Sequence, residues 1–276
     1  MDLLIKLFNG LLTKLFDFLL WPFRGFDPLW ALVVISLLTG LLMLWIFGRV
    51  SNQEVIRRVR ERIRGNLLGI RLYRHDVRVL LKLQGNILGD TLRYMKQSVL
   101  PMLVVIVPVI LILVQLNLHF AQRPLEPGDA SVVTVKVRKS SDLEKTIVLH
   151  TPSVVNVETP GLRVPAASEI AWRIRSDQPG CYSLKVMADT DEVAKELCVG
   201  EKWRTVSSLR TAHLGQALFY PGEPPITSST VVDSVEIKYR PMNLFLFGWR
   251  VHWLFVFFVF SILSAFGFRR VLGVEI

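Results

Sequence analysis

Apolar residues along this chain follow two rhythms. In three places they run almost without interruption: Leu29–Phe47, Val99–Leu118 and Val251–Phe268, each 18 to 20 residues long. About 20 apolar residues cross roughly 30 Å of hydrocarbon as a helix, so the pattern predicts three membrane spans. Between the second and third runs the rhythm changes to alternation, in short stretches rich in β-branched residues and separated by Pro and Gly. The candidate strands are Val132–Arg138, Thr146–His150, Val154–Glu158, Glu169–Ser176, Cys181–Ala188, Val193–Val199, Arg204–Arg210 and Val231–Tyr239. Short strands at this spacing predict a β-sandwich.

The remaining segments read as amphipathic helices. In residues 1–25, Asp2, Lys6, Asn9, Thr13, Lys14 and Asp17 recur mostly at three- and four-residue intervals, which leaves a face of Leu and Phe. That arrangement suits a helix lying in the membrane interface. Asp27-Pro28 supplies a cap and a first-turn proline for the first span, with Trp30 and Trp45 at its two interfaces. Residues 49–97 read as two antiparallel helices with a turn at Tyr73-Arg74-His75-Asp76. Ser51 to Glu54 can form a capping box. The first arm carries a sparse stripe of Val55, Val59, Ile63 and Ile70. The second carries Val77, Leu80, Leu81, Gln84, Leu88, Leu92 and Met95. The arms share an echo, Gly65-Asn66-Leu67-Leu68-Gly69 and Gly85-Asn86-Ile87-Leu88-Gly89. Four glycines at helix positions fit either a close crossing of the two arms or a flexible hairpin. Pro101 and Pro108 fall in the second span, where Pro108 is expected to kink it.

Charge orients this arrangement. The 49-residue hairpin holds twelve Lys/Arg against four Asp/Glu, including Arg57, Arg58, Arg60, Arg62, Arg64, Arg71, Arg74, Arg78 and Lys82. A short basic loop stays in the cytoplasm. Phe120–Pro241 balances fifteen basic and fifteen acidic residues and is long enough to be translocated regardless of charge. The expected order is therefore an interfacial helix at 1–25, a first span at 27–48, the cytoplasmic hairpin at 49–97 and a second span at 98–119. An extracytoplasmic β-domain at 120–241, a third span at 243–268 and a cytoplasmic tail at 269–276 complete it. The fold class is an α-helical membrane protein with three transmembrane helices, a cytoplasmic helical hairpin and an extracytoplasmic β-sandwich. Arg250 then sits at the outer end of the third span, where its long stem lets it reach the interface.

Cys181 and Cys198 are the only cysteines and fall on neighbouring candidate strands. A turn at Asp189–Glu192 puts them two positions out of register, so a disulfide requires a bulge or a different turn. A disulfide and two buried thiols are both open. The chain contains no H-E-x-x-H, P-loop, G-x-S-x-G or CxxC pattern. A non-enzymatic protein with no cofactor, no metal and no small-molecule substrate is expected.

Two stretches carry resemblances. Ile170-Ala171-Trp172-Arg173-Ile174 followed by Pro179–Val186 resembles immunoglobulin-like sandwiches in pattern. A span, a cytoplasmic hairpin and a second span beginning Met95-Lys96-Gln97-Ser98-Val99-Leu100-Pro101-Met102 and reaching Pro108 resembles the YidC/Oxa-type insertase superfamily, nearest its minimal three-span members. The resemblance implies a groove between the spans that lowers the cost of burying polar groups of an incoming protein. Candidate groove residues are Ser36, Thr39, Gln115, Asn117, Ser261 and Ser264. It also implies partners: anionic lipid headgroups, nascent or incoming membrane proteins, and the ribosome at the hairpin. The chain departs from the family in lacking a groove arginine in the first span and in carrying its β-domain between spans two and three. A second reading makes the chain a membrane-anchored adaptor whose β-domain binds an envelope protein. The outer domain has no N-x-Ser/Thr site, which suits a bacterial inner membrane.

Overall fold

The computed structural model describes residues 2–23, 25–51, 53–72, 77–188, 191–200, 203–227, 229–246 and 248–274. The expected turn at 73–76 with Arg74, Asn52 of the expected capping box, the Asp189–Thr190 turn and the last two tail residues lie outside them. Four helices come first: α1 (Asp2–Leu20), α2 (Pro28–Val50), α3 (Gln53–Leu72) and α4 (Val77–Phe120). Strands β1 (Gln122–Arg123), β2 (Ala130–Val137), β3 (Ile147–His150), β4 (Val155–Val157), β5 (Leu162–Val164), β6 (Glu169–Ser176), β7 (Gly180–Ala188), β8 (Asp191–Val199) and β9 (Leu209–Thr211) follow. The short helix α5 (Leu214–Phe219) precedes β10 (Val232–Ile237), β11 (Arg240–Pro241), β12 (Leu244–Leu246) and β13 (Trp249–Val251), and α6 (Trp253–Phe268) ends the order.

The chain divides into two compact units, one of residues 1–31 and 113–253, the other of 32–112 and 254–276. In the first unit, β4-β6-β2-β10-β9 form one antiparallel sheet, with β5 also on β6, and β3-β7-β8 form another. Alternation explains both. Val133, Val135 and Val137 of β2, Ile170, Trp172 and Ile174 of β6 and Val235 and Ile237 of β10 point into one cluster with Leu184, Val186, Val193 and Leu197 of the other sheet. Burying these branched and aromatic side chains contributes about 1.5–3 kcal/mol each and fixes the register, since a one-residue slip would turn them outward. The strand expected at 204–210 is reduced to β9. Residues before it spend their polar groups elsewhere: the Trp203 indole donates to the His119 carbonyl and the Ser207 carbonyl accepts from Lys195.

The two-residue strands β1 and β11 pair Gln122 with Pro241 and Arg123 with Arg240. The sheets are thus an insertion whose two ends lie side by side.

At the start of α2, Asp27 Oδ1 accepts from the Leu29 amide at 2.8 Å, capping the helix as its sequence predicts. Among the described residues α2 and α4 are long and apolar enough to cross a membrane. The third apolar run is different. Leu244–Leu246 and Trp249–Val251, expected inside a span from 243, pair instead as β12 and β13, and α6 has only 16 residues, about 24 Å of helix. Arg250 accordingly stands on a strand, over the Phe245 ring.

Two expectations about the hairpin change as well. Its second arm and the second span are one 44-residue helix, with Pro101 and Pro108 inside it. The apolar stripe of that arm does not cover α3, because Leu81, Leu88, Leu92 and Met95 are exposed. Nor do the glycines mediate a close crossing. A Cβ at Gly65, Gly85 or Gly89 would meet nothing within 4 Å, and only Gly69 lies against a neighbour, Leu83. At the base, Glu54 reaches forward to Arg58 rather than back to Ser51.

Candidate functional site

Three constructions stand out. The first is the seat of α1, which lies in the same unit as the sheets. Asn9, Thr13 and Asp17 are spaced four apart and share one helix face. Asn9 donates to the Ala217 carbonyl at 3.0 Å, Thr13 meets Gln115 at 3.4 Å, and Asp17 faces His119 Nε2 at 3.2 Å. His119 is buried, and its other ring nitrogen meets the Gln115 carbonyl at 2.8 Å. The stripe Asn9, Thr13 and Asp17 therefore turns toward protein. Phe8, Leu11, Leu15 and Phe18 are left exposed, with Trp21, Phe26 and Trp30 continuing the apolar surface. Such a face suits the headgroup region of a bilayer. Exposed Phe245 and Trp249 of the β12–β13 hairpin add aromatic side chains of the interfacial type.

The second is the end of the sheets around Cys181 and Cys198. These are direct partners on β7 and β8 and form a disulfide. Ala188 pairs with Asp191, so the connection is two residues shorter than the turn expected from sequence, and the register problem disappears. A cleft of about 960 Å³ opens beside Cys198, walled by Pro124, Pro179, Glu196, Trp203, Arg204 and the Asp17–His119 pair. Cys181, Glu196 and Cys198 place three potential metal ligands close together, but both sulfurs are committed to the disulfide. Next to them Lys195 is fully buried, because the β8 alternation points it inward with Val193 and Leu197. Its ammonium donates to the Ser207 carbonyl at 2.6 Å, to Ser207 Oγ at 3.4 Å and to the Glu223 carboxylate. Burial pushes the Lys195 pKa below its ordinary value, and the Glu223 carboxylate opposes that shift. With all three protons given away, the ammonium holds structure; it is not a free amine poised to activate Ser207. The adjacent Tyr239 hydroxyl accepts from the Cys198 amide at 3.1 Å, and its burial raises its pKa above the usual phenol value.

The third is the hairpin and its spans. Arg57, Arg58, Arg62, Arg64, Arg71, Arg78 and Lys82 are exposed and Arg60 is half-buried. Arg57 pairs with Glu61 and Arg58 with Glu54 one turn away, interactions worth only a few tenths of a kcal/mol. An open cleft of about 480 Å³ lies where the glycines face each other, lined also by Arg62, Asn66, Asn86, Asp90 and Arg93. Where arginines end the apolar helices, they stack on rings: Arg49 over Trp45 and Arg269 over Phe266.

Of the six residues expected to line a groove, Ser36, Thr39, Ser261 and Ser264 fall in one unit and Gln115 and Asn117 in the other. Ser36 is buried and donates to the Leu32 carbonyl of its own helix at 2.6 Å. Ser264 donates across to the Leu37 carbonyl at 2.8 Å, while Ser261 turns back on the Phe258 carbonyl. Thr39 is buried. Gly40 lets α2 and α6 meet, since a Cβ there would overlap the Ser261 carbonyl and lie 2.9 Å from Ser264 Cβ. Gln115 and Asn117 belong to the other unit, Gln115 with Thr13 and Asn117 beside a small pocket near Ser207. Sequence reading missed the partnership of α1 with the end of α4. A signal was present: Asn9, Thr13 and Asp17 on one segment and Gln115 and His119 on another are polar stripes at four-residue spacing in apolar surroundings. Comparison of the chain with models of protein families, with curated proteins and with solved structures finds no match.

Proposed function

We propose that the chain is a membrane-embedded insertase or chaperone of the YidC/Oxa type, with three spans, the hairpin in the cytoplasm and a β-sandwich on the far side of a bacterial inner membrane. The observation that supports this reading is the continuity of α4 from a basic hairpin arm into an apolar span. A partner that binds Arg78 or Lys82, whether a ribosome or an anionic headgroup, thereby acts on the same continuous helix that borders an incoming segment. The test is insertion of a short-tailed membrane protein into vesicles containing the purified chain. Insertion should exceed that of empty vesicles and fall when Arg57, Arg58, Arg62 and Arg64 are changed to Gln, most strongly at low salt. Equal insertion with and without the chain would exclude the reading.

The second reading, an adaptor, is favoured by a different observation. The hydroxyls of Ser36, Ser261 and Ser264 are occupied by backbone carbonyls, whereas the sheet domain offers a large open cleft. Joining Gln122 to Pro241 by a short linker removes that domain where its ends already pair. Retained insertion assigns the activity to the helices; lost envelope binding assigns it to the sheets.

A further inference from the structure

One face of α4 has a period that lipid does not impose. Leu81, Gly85, Leu88, Leu92, Met95, Val99, Met102 and Ile106 follow one another at alternating steps of four and three, the seven-residue repeat of a coiled-coil seam. None of them is buried: the seven side chains are between 37% exposed, at Ile106, and 64%, at Leu81. Leu83 and Asp90 lie on the side that meets α3, and Gly85, at the edge of the seam, also lines the open cleft between the two arms. Over the hairpin part the seam is narrow, because Lys82, Asn86, Arg93 and Lys96 flank it. A lipid-facing helix would be apolar across that width, so the seam fits a helix as its partner.

We propose that this partner is the same seam of a second copy, paired in parallel. The residue choice is self-complementary. In a parallel two-fold pair each residue meets its own copy, so Leu88, Leu92, Met95, Val99, Met102 and Ile106 each form an apolar layer. The flanks agree. In a parallel pair Gln84 faces Gly89 of the other copy and Thr91 faces Lys96, with no like charges opposed, whereas an antiparallel pair would bring lysines together. Two chains inserted the same way into one membrane also meet in parallel, about a two-fold axis along its normal. Gly85 is the one layer without a side chain, and a Cβ there would meet nothing within the chain.

Disulfide crosslinking of the full chain in its membrane tests this, since the native cysteines are already paired. Leu88→Cys and Leu92→Cys should each give a crosslinked dimer of this chain under mild oxidant, while Asn86→Cys, on the flank, should not. Leu92→Asp in the purified chain should weaken association on the order of tenfold or more. Gly85→Leu should strengthen it by filling the empty layer. A chain that stays monomeric, a seam cysteine that couples only to another protein, equal crosslinking at Asn86→Cys, or no gain from Gly85→Leu would each overturn the proposal. All four positions are exposed, so these changes leave the packing within the chain intact.

Discussion

Replacing Lys195 by Met should be among the most damaging single changes in the sheet domain. The side chain is completely inaccessible, and the Glu223 carboxylate it meets is itself only 10% exposed. Met keeps most of the volume but strands that carboxylate with one remaining donor, the Glu196 amide at 2.9 Å. It also removes the donor to the Ser207 carbonyl. Breaking a buried ion pair on one side costs about 3–5 kcal/mol. At about 4–8 °C per kcal/mol for a domain near 100 residues, the melting temperature should fall by roughly 10 °C or more. The change is read by the fluorescence of buried Trp172 during thermal unfolding of the full chain in detergent. Adding Glu223→Leu should recover at least half of the loss, because an apolar pair of similar volume is often nearly neutral. A single Lys195→Met variant that melts within a degree or two of the parent would refute the reasoning, and so would a double variant worse than the single.

Four further outcomes follow from the packing. Reducing the Cys181–Cys198 bridge, which spans a sequence separation of 17, should cost about 3 kcal/mol, seen as a lower unfolding midpoint with dithiothreitol. Gly40→Leu should separate α2 from α6 and cost at least 1–3 kcal/mol, with altered crosslinking between cysteines placed on those helices. Changing Asn9 and Thr13 together to Leu removes two of the polar attachments of α1 and should make residues 1–25 markedly more sensitive to protease, while the β-sheets keep their circular dichroism. Asp191 gives a pH dependence: the Thr230 amide, foremost, together with the Ser229 hydroxyl, holds its carboxyl below the ordinary 3.8. A depressed carboxylate contributes stability that is present above 3.8 and is lost as pH falls through the folded value. Asp191→Asn should therefore flatten the acid limb of a stability profile measured below pH 4; an unchanged limb would contradict the assignment.

The sequence was most legible where one periodicity ruled alone. Glu169–Ser176 was bounded correctly from alternation, and α2 from an apolar run with Asp27-Pro28 at its start. It was less legible where a local pattern served two ends. Leu244–Val251 is apolar enough to read as the start of a span, yet β12 and β13 pair within it and Gly248 adopts φ 84°, a conformation that glycine tolerates best. The stripe of α4 is expected to cover α3 and does not: a repeat names the kind of neighbour a helix takes, but not which helix supplies it. Lys195 is the converse. Its position between Val193 and Leu197 marks it as inward-facing, but only the folded chain brings Glu223 and Ser207 to meet it. The disulfide turned on a turn two residues shorter than assumed, a difference that sequence alone does not decide.

The reading of this protein hangs on a lipid barrier between its basic hairpin and its sheets. Arg71→Cys on α3 and Met187→Cys on β7, made in separate chains, place a single reactive thiol in each region. Both are exposed, and Met187 stands at the opposite end of β7 from Cys181. Sealed vesicles of known orientation are treated with an impermeant maleimide. One thiol should react from the outside only and the other only after the vesicles are opened. Labelling of both from the same side would contradict the account.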